Sequence, residues 1–420
     1  MSRPTRILLA LLGGLLAGIL IADTLPSLGP GAIAMADVVG GLWLDALRMT
    51  IVPLVVSLLI AGIAASAEAA RAGRLTTRAL VIILATLWTS SILGALVFRL
   101  LVTIWPLPAA SGDALRAVLG TTTTAIGAVP TIGQFLRGLV PTNPLAAAAN
   151  DMMLPLIVFT TAFGFAVTRL PAEQRARLTG FFAAVAHAML VVVDWILWIG
   201  PIGVFALAFL VGAKAGAGAV GALIHYIIIV SSVGAVIWLL AYPFVRIAGG
   251  VRIAAFARAV APAQAVAVST QSSLASLPSM LASAERLSIP LTSAGVVLPL
   301  AVALFRATGP AMNLAVALYV AHWFGIALSP LQIAAGVAAA AITTMGAVSL
   351  PGQVSFFTSI APIALVMGVP IEPLALLIAV ETIPDLIRTV GNVTMDVAVT
   401  AIATRGEPTE NVRATDGVSP

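Results

Sequence analysis

The chain has 420 residues, 60% hydrophobic and 9% charged, with a formal net charge of +5 and a mean hydropathy of +1.12. Soluble domains are about 25% charged, so a soluble fold is excluded, and apolar runs of roughly 20 residues recur as membrane helices require. The basic residues are scattered between those runs as topology determinants and do not form a nucleic-acid surface. The absence of cysteine removes disulfides, thiolate catalysis and Cys-based metal sites.

Met1-Ser2-Arg3-Pro4-Thr5-Arg6 precedes the first apolar run in the manner of a signal peptide. No small-residue cleavage site follows, and the segment is read as an uncleaved first helix. Apolar segments fall near 7–25, 38–66, 78–104, 118–169, 179–212, 219–246, 291–326 and 374–403, the fourth broken by Pro141-Thr142-Asn143-Pro144. Basic clusters occupy alternate gaps: Arg3 and Arg6; Arg71, Arg74 and Arg78; Arg169, Arg175 and Arg177; Arg246, Arg252 and Arg258; Arg405 and Arg413. Arg116, Arg137 and Lys214 fall in the opposite gaps. Placing every cluster in the cytoplasm predicts eight crossings of the inner membrane with both termini cytoplasmic. His187, His225 and His322 are far apart, make no metal-ligand pattern and are read as packed residues. Asp45 near Arg48, and Asp194 near Trp195, are read as structural polar groups.

Two further segments, 253–290 and 329–371, are apolar but interrupted. Ser272-Ser273-Leu274-Ala275-Ser276-Leu277-Pro278 breaks the first, and Gly346-Ala347-Val348-Ser349-Leu350-Pro351-Gly352 breaks the second. The charge alternation is kept if each enters the membrane and returns on the same side, the first from the cytoplasm and the second from outside. Non-helical backbone at membrane depth needs cover from protein or water, and paired interrupted segments mark transporter binding sites.

The last segment carries Glu381, Asp385, Arg388, Asn392 and Asp396, spaced by four, three, four and four residues. That spacing places all five on one helix face. Such a stripe is expensive in a membrane unless it faces a wet cavity or a charged ligand.

Six motifs in order resemble the dicarboxylate/amino acid:cation symporter family, the glutamate transporter fold. Leu47-Arg48-Met49-Thr50-Ile51-Val52-Pro53-Leu54-Val55 is similar to its second helix, Pro141-Thr142-Asn143-Pro144 with Leu154-Pro155 to its fourth, and Pro201-Ile202-Gly203-Val204-Phe205 to its fifth. Ser269-Thr270-Gln271-Ser272-Ser273 with Leu277-Pro278 is similar to the tip of a first hairpin, and Gly346 with Pro351-Gly352 to that of a second. Asp385, Arg388-Thr389, Asn392 and Asp396 match the last helix. The resemblance implies an all-α membrane fold of eight transmembrane helices plus two re-entrant hairpins, arranged as inverted repeats and working as an elevator. It further implies a homotrimer. Residues 1–77 and 118–217 would form the scaffold (helices 1–2 and 4–5). Residues 78–117 (helix 3) and 218–405 would form the transport domain, and 406–420 a disordered tail.

The implied substrate is a small anion, an acidic amino acid or a dicarboxylate. Arg388 offers a planar fork to the side-chain carboxylate and Asp385 an acceptor to the ammonium. Asn392, Thr389 and the backbone of Ser272-Ser273 would take the remaining polar groups, closed by the tip at Pro351-Gly352. The open alternative is an Asp385–Arg388 or Glu381–Arg388 ion pair that only locks helices. Keeping both Asp385 and Arg388 favours an acidic amino acid over a plain dicarboxylate.

The chain departs from the family in the seventh helix, where Phe305-Arg306-Ala307-Thr308-Gly309 stands for Asn-Met-Asp-Gly-Thr. A shifted alignment onto Met312-Asn313-Leu314 restores one Asn but no carboxylate. Asp396 and Asn392 remain as sodium-ligand positions, but the helix-7 ligands are missing. No covalent cofactor is expected. Arg306 is read either as a tethered cation replacing sodium beside Asp396 or as a snorkelling side chain. In the third helix Trp88-Thr89-Ser90-Ser91 is the nearest match to a sodium site, which makes Thr89 and Ser90 candidates. Glu381 is a candidate for proton coupling, because burial penalises a charged carboxylate.

The leading expectation is therefore a symporter for acidic amino acids driven by Na+ or H+. The alternatives are a C4-dicarboxylate:cation symporter and an anion-permeable, channel-like relative. An intramembrane enzyme is not supported, because no Ser-x-x-Gly-His-like or Gly-x-Gly-Asp segment is present. A sensor would carry an output domain, and the polar stretch after Arg405 is short.

Overall fold

The computed structural model describes residues 3–24, 29–71, 73–106, 133, 137–215, 218–345 and 352–406. Every regular element among them is an α-helix. Three helices are fixed by local chemistry. In α5 (Pro144–Ala149), Asn143 accepts from the backbone N–H groups of Leu145 and Ala146, and Pro144 opens the first turn. In α14 (Pro330–Thr344), Ser329 and Gln332 form a reciprocal capping box. In α10 (Ile253–Thr270), Gln271 ends the helix in the left-handed region at φ 50°.

Eight helical runs among the described residues are long and apolar enough to cross a membrane. The first is α1 (Arg3–Thr24). The second combines α2 (Gly29–Arg48) with α3 (Ile51–Arg71), and the third is α4 (Arg74–Ile104). They are followed by α7 (Ala172–Trp198), α9 (Gly218–Ala248) and α10. The last two are α12 (Leu291–Leu304) with α13 (Thr308–Trp323), and α17 (Thr382–Ala403). This set differs from the expected one. In the stretch 118–169, residues 118–132 and 134–136 lie outside the described residues, and the rest contributes only α6 (Met153–Thr168) beyond α5, whereas α10 qualifies by length.

Four expected continuous helices are each two. The stretch 38–66 divides at Met49-Thr50 into α2 and α3. The stretch 179–212 divides at Ile199 into α7 and α8 (Gly200–Ala215), with Pro201 in the first turn of the second piece. The stretch 291–326 divides at residues 305–307. Proline lacks an N–H and its ring clashes with the carbonyl four residues back, so Pro310 forbids a regular helix through Arg306, and Phe305 is extended. By the same clash Pro384 disrupts the helix at Val380. The stretch 374–403 accordingly becomes α16 (Glu372–Leu377) and α17, with i→i−3 bonds from Ala379 and Val380 between them.

Helix α1 packs on α8, which also packs on α2, while α3 packs on α6 and α7. Helix α4 packs on α9, α13 and α14. The arms of each interrupted segment pack on one another, α10 on α11 (Leu277–Arg286) and α14 on α15 (Gly352–Met367). Helix α17 lies against α9, α10 and α12, with 89% of its span buried against 28% for α1. A helix buried all round yet lined with charges has no lipid-facing side to hide them, so its polar groups must be met by protein or ligand. The second break, 346–351, and the tail 407–420 lie outside the described residues.

Candidate functional site

The site is built on α17 and the turn before it. Glu381, Asp385, Arg388, Asn392 and Asp396 are all buried. Arg388 is the hub. Its Nη2 lies 2.5 Å from Glu381 Oε1, and its Nη1 donates to Asn313 Oδ1 on α13 at 2.6 Å. Its Nε lies 3.6 Å from Asp385 Oδ1 and is a buried donor without a hydrogen bond. The Tyr226 hydroxyl on α9 donates to the second Glu381 oxygen at 3.3 Å. The Asp385 carboxylate makes no hydrogen bond among the described residues, although the Arg388 charge lies beside it. A buried guanidinium engaged by two partners is held in orientation, and a carboxylate acceptor beside it remains open. That combination can receive a zwitterion carrying an additional carboxylate.

The second part of the site is the break between α12 and α13. Asn392 Oδ1 caps α13 by accepting from the Thr308 N–H at 3.0 Å. The Thr308 hydroxyl lies 2.7 Å from that oxygen and 3.0 Å from the Arg388 carbonyl oxygen. The close approach requires Gly391, where an added Cβ would fall 2.5 Å from Thr308 Cγ2. The Ser90 hydroxyl on α4 donates to the Ala307 carbonyl inside the break. Asp396 is fully buried and neither of its carboxylate oxygens has a hydrogen bond. Arg306, in the break, lies within electrostatic reach of Asp396, Asp385 and Arg388. Arg306 and Asp396 do not form a direct ion pair among the described residues.

The structure places other predicted residues as follows. Ser272 and Ser273 lie in the non-helical segment between α10 and α11, which reaches the start of α17 through a bond from Gln271 Nε2 to the Thr382 carbonyl at 3.5 Å. The segment is largely self-bonded, Ser276 Oγ donating to the Ser272 carbonyl at 2.9 Å. No hydrogen bond joins Ser272 or Ser273 to Asp385, Arg388 or Asn392 among the described residues. Thr389 donates to the Asp385 carbonyl in its own helix at 2.9 Å. Pro351 lies outside the described residues, and Gly352 opens α15. Thr89 on α4 faces away from the α12–α13 break. It is exposed and bonds its own helix at the Ala85 carbonyl, 2.8 Å away. Ser90 and Ser91 are the inward pair, Ser91 Oγ donating to the Val337 carbonyl of α14 at 2.9 Å.

The sequence profile of the sodium:dicarboxylate symporter family matches residues 4–405. The chain belongs to the sodium:dicarboxylate symporter family. It is an integral, multi-pass membrane protein and not an enzyme. It is 28% identical over 396 residues to the proton/glutamate-aspartate symporter of Escherichia coli (strain K12), covering 93% of this chain and 90% of the relative. It is 26% identical over 407 residues to the proton/sodium-glutamate symport protein of Bacillus subtilis (strain 168), covering 96% and 92%. It is also 26% identical over 352 residues to the C4-dicarboxylate transport protein of Rhodopseudomonas palustris (strain HaA2), covering 83% and 77%.

Within this symporter the structure adds Tyr226, Thr308 and Asn313 to the residues expected from the sequence. Asn313 had weight only as a displaced sodium ligand and is instead the acceptor for Arg388. Tyr226, one of three tyrosines in the chain, gave no signal beyond a lone hydroxyl in an apolar run.

Proposed function

We propose that this protein is a cation-coupled symporter that imports acidic amino acids such as aspartate and glutamate across the inner membrane, with both termini cytoplasmic. The observation that carries the reading is the buried Arg388, held by Glu381 and Asn313 beside an Asp385 carboxylate that makes no hydrogen bond. A substrate side-chain carboxylate would take the Arg388 fork in place of Glu381, and its ammonium would take Asp385. The amide nitrogen of Asn392 makes no hydrogen bond among the described residues and would serve the α-carboxylate, as would the backbone at Ser272-Ser273. Displaced from Arg388 in a buried site, Glu381 would take up a proton, because an uncompensated buried carboxylate is costly. That exchange would couple substrate to H+.

Sodium is the second reading for the driving cation. The two Asp396 oxygens without hydrogen bonds favour it, and the absence of oxygen-bearing side chains at Phe305 and Ala307 opposes it. A plain C4-dicarboxylate would bring no ammonium to Asp385, whose open acceptor would then meet only the Arg388 edge. The mechanism proposed is an elevator in a homotrimer. Helices α1–α3 and α5–α8 would form the scaffold, and α4 with α9–α17 the moving body. The hairpins around 271–276 and 346–351 would be its re-entrant gates.

Uptake of labelled L-aspartate into proteoliposomes tests this reading, with an imposed proton gradient, a sodium gradient or neither, and with excess succinate as competitor. Accumulation driven by protons and weakly inhibited by succinate is expected. Accumulation requiring sodium would assign the coupling ion to Asp396. No gradient-driven accumulation of either substrate would overturn the proposal.

A further inference from the structure

His225 lies on α9, one residue from Tyr226 but in a separate pocket. It is buried, 2% exposed, with both ring nitrogens engaged. Nε2 is 2.9 Å from the carbonyl oxygen of Trp105, the residue that ends α4. A carbonyl can only accept, so Nε2 carries a hydrogen. Nδ1 is 2.9 Å from the Tyr319 hydroxyl on α13, which is also 3.1 Å from the Ala222 carbonyl oxygen.

This arrangement fits two protonation states without moving a heavy atom. In the neutral ring, Tyr319 donates its proton to Nδ1. In the imidazolium, Nδ1–H donates to the Tyr319 oxygen and the hydroxyl turns to donate to the Ala222 carbonyl. The charged form therefore makes three hydrogen bonds where the neutral form makes two. A helix C-terminus is also a favourable place for a cation. The Trp105 ring lies 4.8 Å and the Tyr319 ring 5.6 Å from the imidazole, within the range of cation–π attraction.

We propose that His225 is a second proton-binding site, whose imidazolium ties the end of α4 to α9 and α13. Protons reach it from the α4 end, where Trp105 is 45% exposed. The ionisable group facing it from α13 is Tyr319, and α4 presents only the Trp105 ring and carbonyl. On its own helix, Tyr226 packs edge-on against Tyr319 at 5.3 Å and bonds Glu381 beyond. Arg99 of α4 and His322 of α13 are exposed. The two tyrosines thus connect His225 with the Glu381–Arg388 pair, so its charge is felt at the candidate substrate site. The proton site itself does not depend on which substrate is carried.

The test is nitrogen-15 NMR of histidine-labelled, full-length protein titrated with acid, the His225 signal being the one lost in His225→Gln. A signal that passes from the neutral to the imidazolium form as acid is added is expected. Tyr319→Phe should move the midpoint to lower pH, because the third hydrogen bond is gone. Glu381→Gln should keep the titration, which separates this site from the proposed coupling residue. In uptake assays His225→Gln should flatten one limb of the pH profile while KM for aspartate at alkaline pH stays within about twofold. A His225 signal that remains in one form across the range would overturn the proposal, as would one that titrates identically in Tyr319→Phe.

Discussion

Replacing Glu381 by glutamine isolates the competition at Arg388. The substitution preserves shape, and the amide oxygen can still accept from Arg388 Nη2 across the 2.5 Å contact. What is lost is the charge. A hydrogen bond to a charged group contributes about 1.5–3 kcal/mol, against about 0.5–1.5 kcal/mol for a neutral one. An arriving carboxylate then displaces a partner weaker by about 1–2 kcal/mol, and the Kd for L-aspartate should fall roughly 5- to 30-fold. Calorimetry on the purified protein at acidic and alkaline pH is the assay. The sign follows from Glu381 itself. When protonated at low pH it behaves as the glutamine does, so wild type should match the variant in acid and weaken as pH rises. The variant should lose most of that pH dependence. Equal affinity of wild type and Glu381→Gln at alkaline pH, with wild type insensitive to pH, would refute the reasoning and leave the ion pair as a structural lock.

Three further perturbations address other parts of the molecule. Arg306→Met removes the cation near the unpartnered Asp396 oxygens, and a buried carboxylate left alone must find another positive charge; aspartate uptake should become stimulated by external sodium, and unaltered sodium independence would dissociate Arg306 from ion coupling. Gly391→Ala places a methyl 2.5 Å from Thr308 Cγ2 and should cost about 1–3 kcal/mol; a lowered midpoint in a thermal unfolding scan checks this. Arg48 on α2 pairs with Glu372 on α16 through half-exposed side chains. Exposed pairs contribute about 1 kcal/mol or less, so Arg48→Ala and Glu372→Ala should leave aspartate Kd unchanged. Both should alter the uptake rate, and the double variant should resemble either single one; additive rates would show that the pair is incidental.

The chemistry-bearing stripe of α17 was legible because its periodicity is local and charges are conspicuous among alanines and valines. The partners of that stripe were not legible. Asn313, Thr308 and Tyr226 lie 75, 84 and 155 positions from the residues they bond. Only packing of α9 and α13 on α17 brings them in. The choice among Thr89, Ser90 and Ser91 turned on helical phase, which three adjacent hydroxyl residues leave undetermined. The breaks at Arg306 and Val380 were encoded in Pro310 and Pro384, but an apolar run reads as continuous when hydrophobicity alone is followed. Proline's demand on the residue four before it was the stronger rule.

The guanidinium in the α12–α13 break has an energetic consequence. A sodium ion carried inward is released there, so each cycle displaces charge and draws work from the membrane voltage. A positive charge fixed to the polypeptide makes the outward journey too, and its net displacement per turnover is zero. In the proposed elevator, Arg306 would offset the Asp396 charge in every state and would contribute nothing to the concentration ratio the cell can sustain. Accumulation would then be set by the remaining coupled cation alone. Such a carrier would keep working in a salt-poor medium, where a sodium-dependent one would stall.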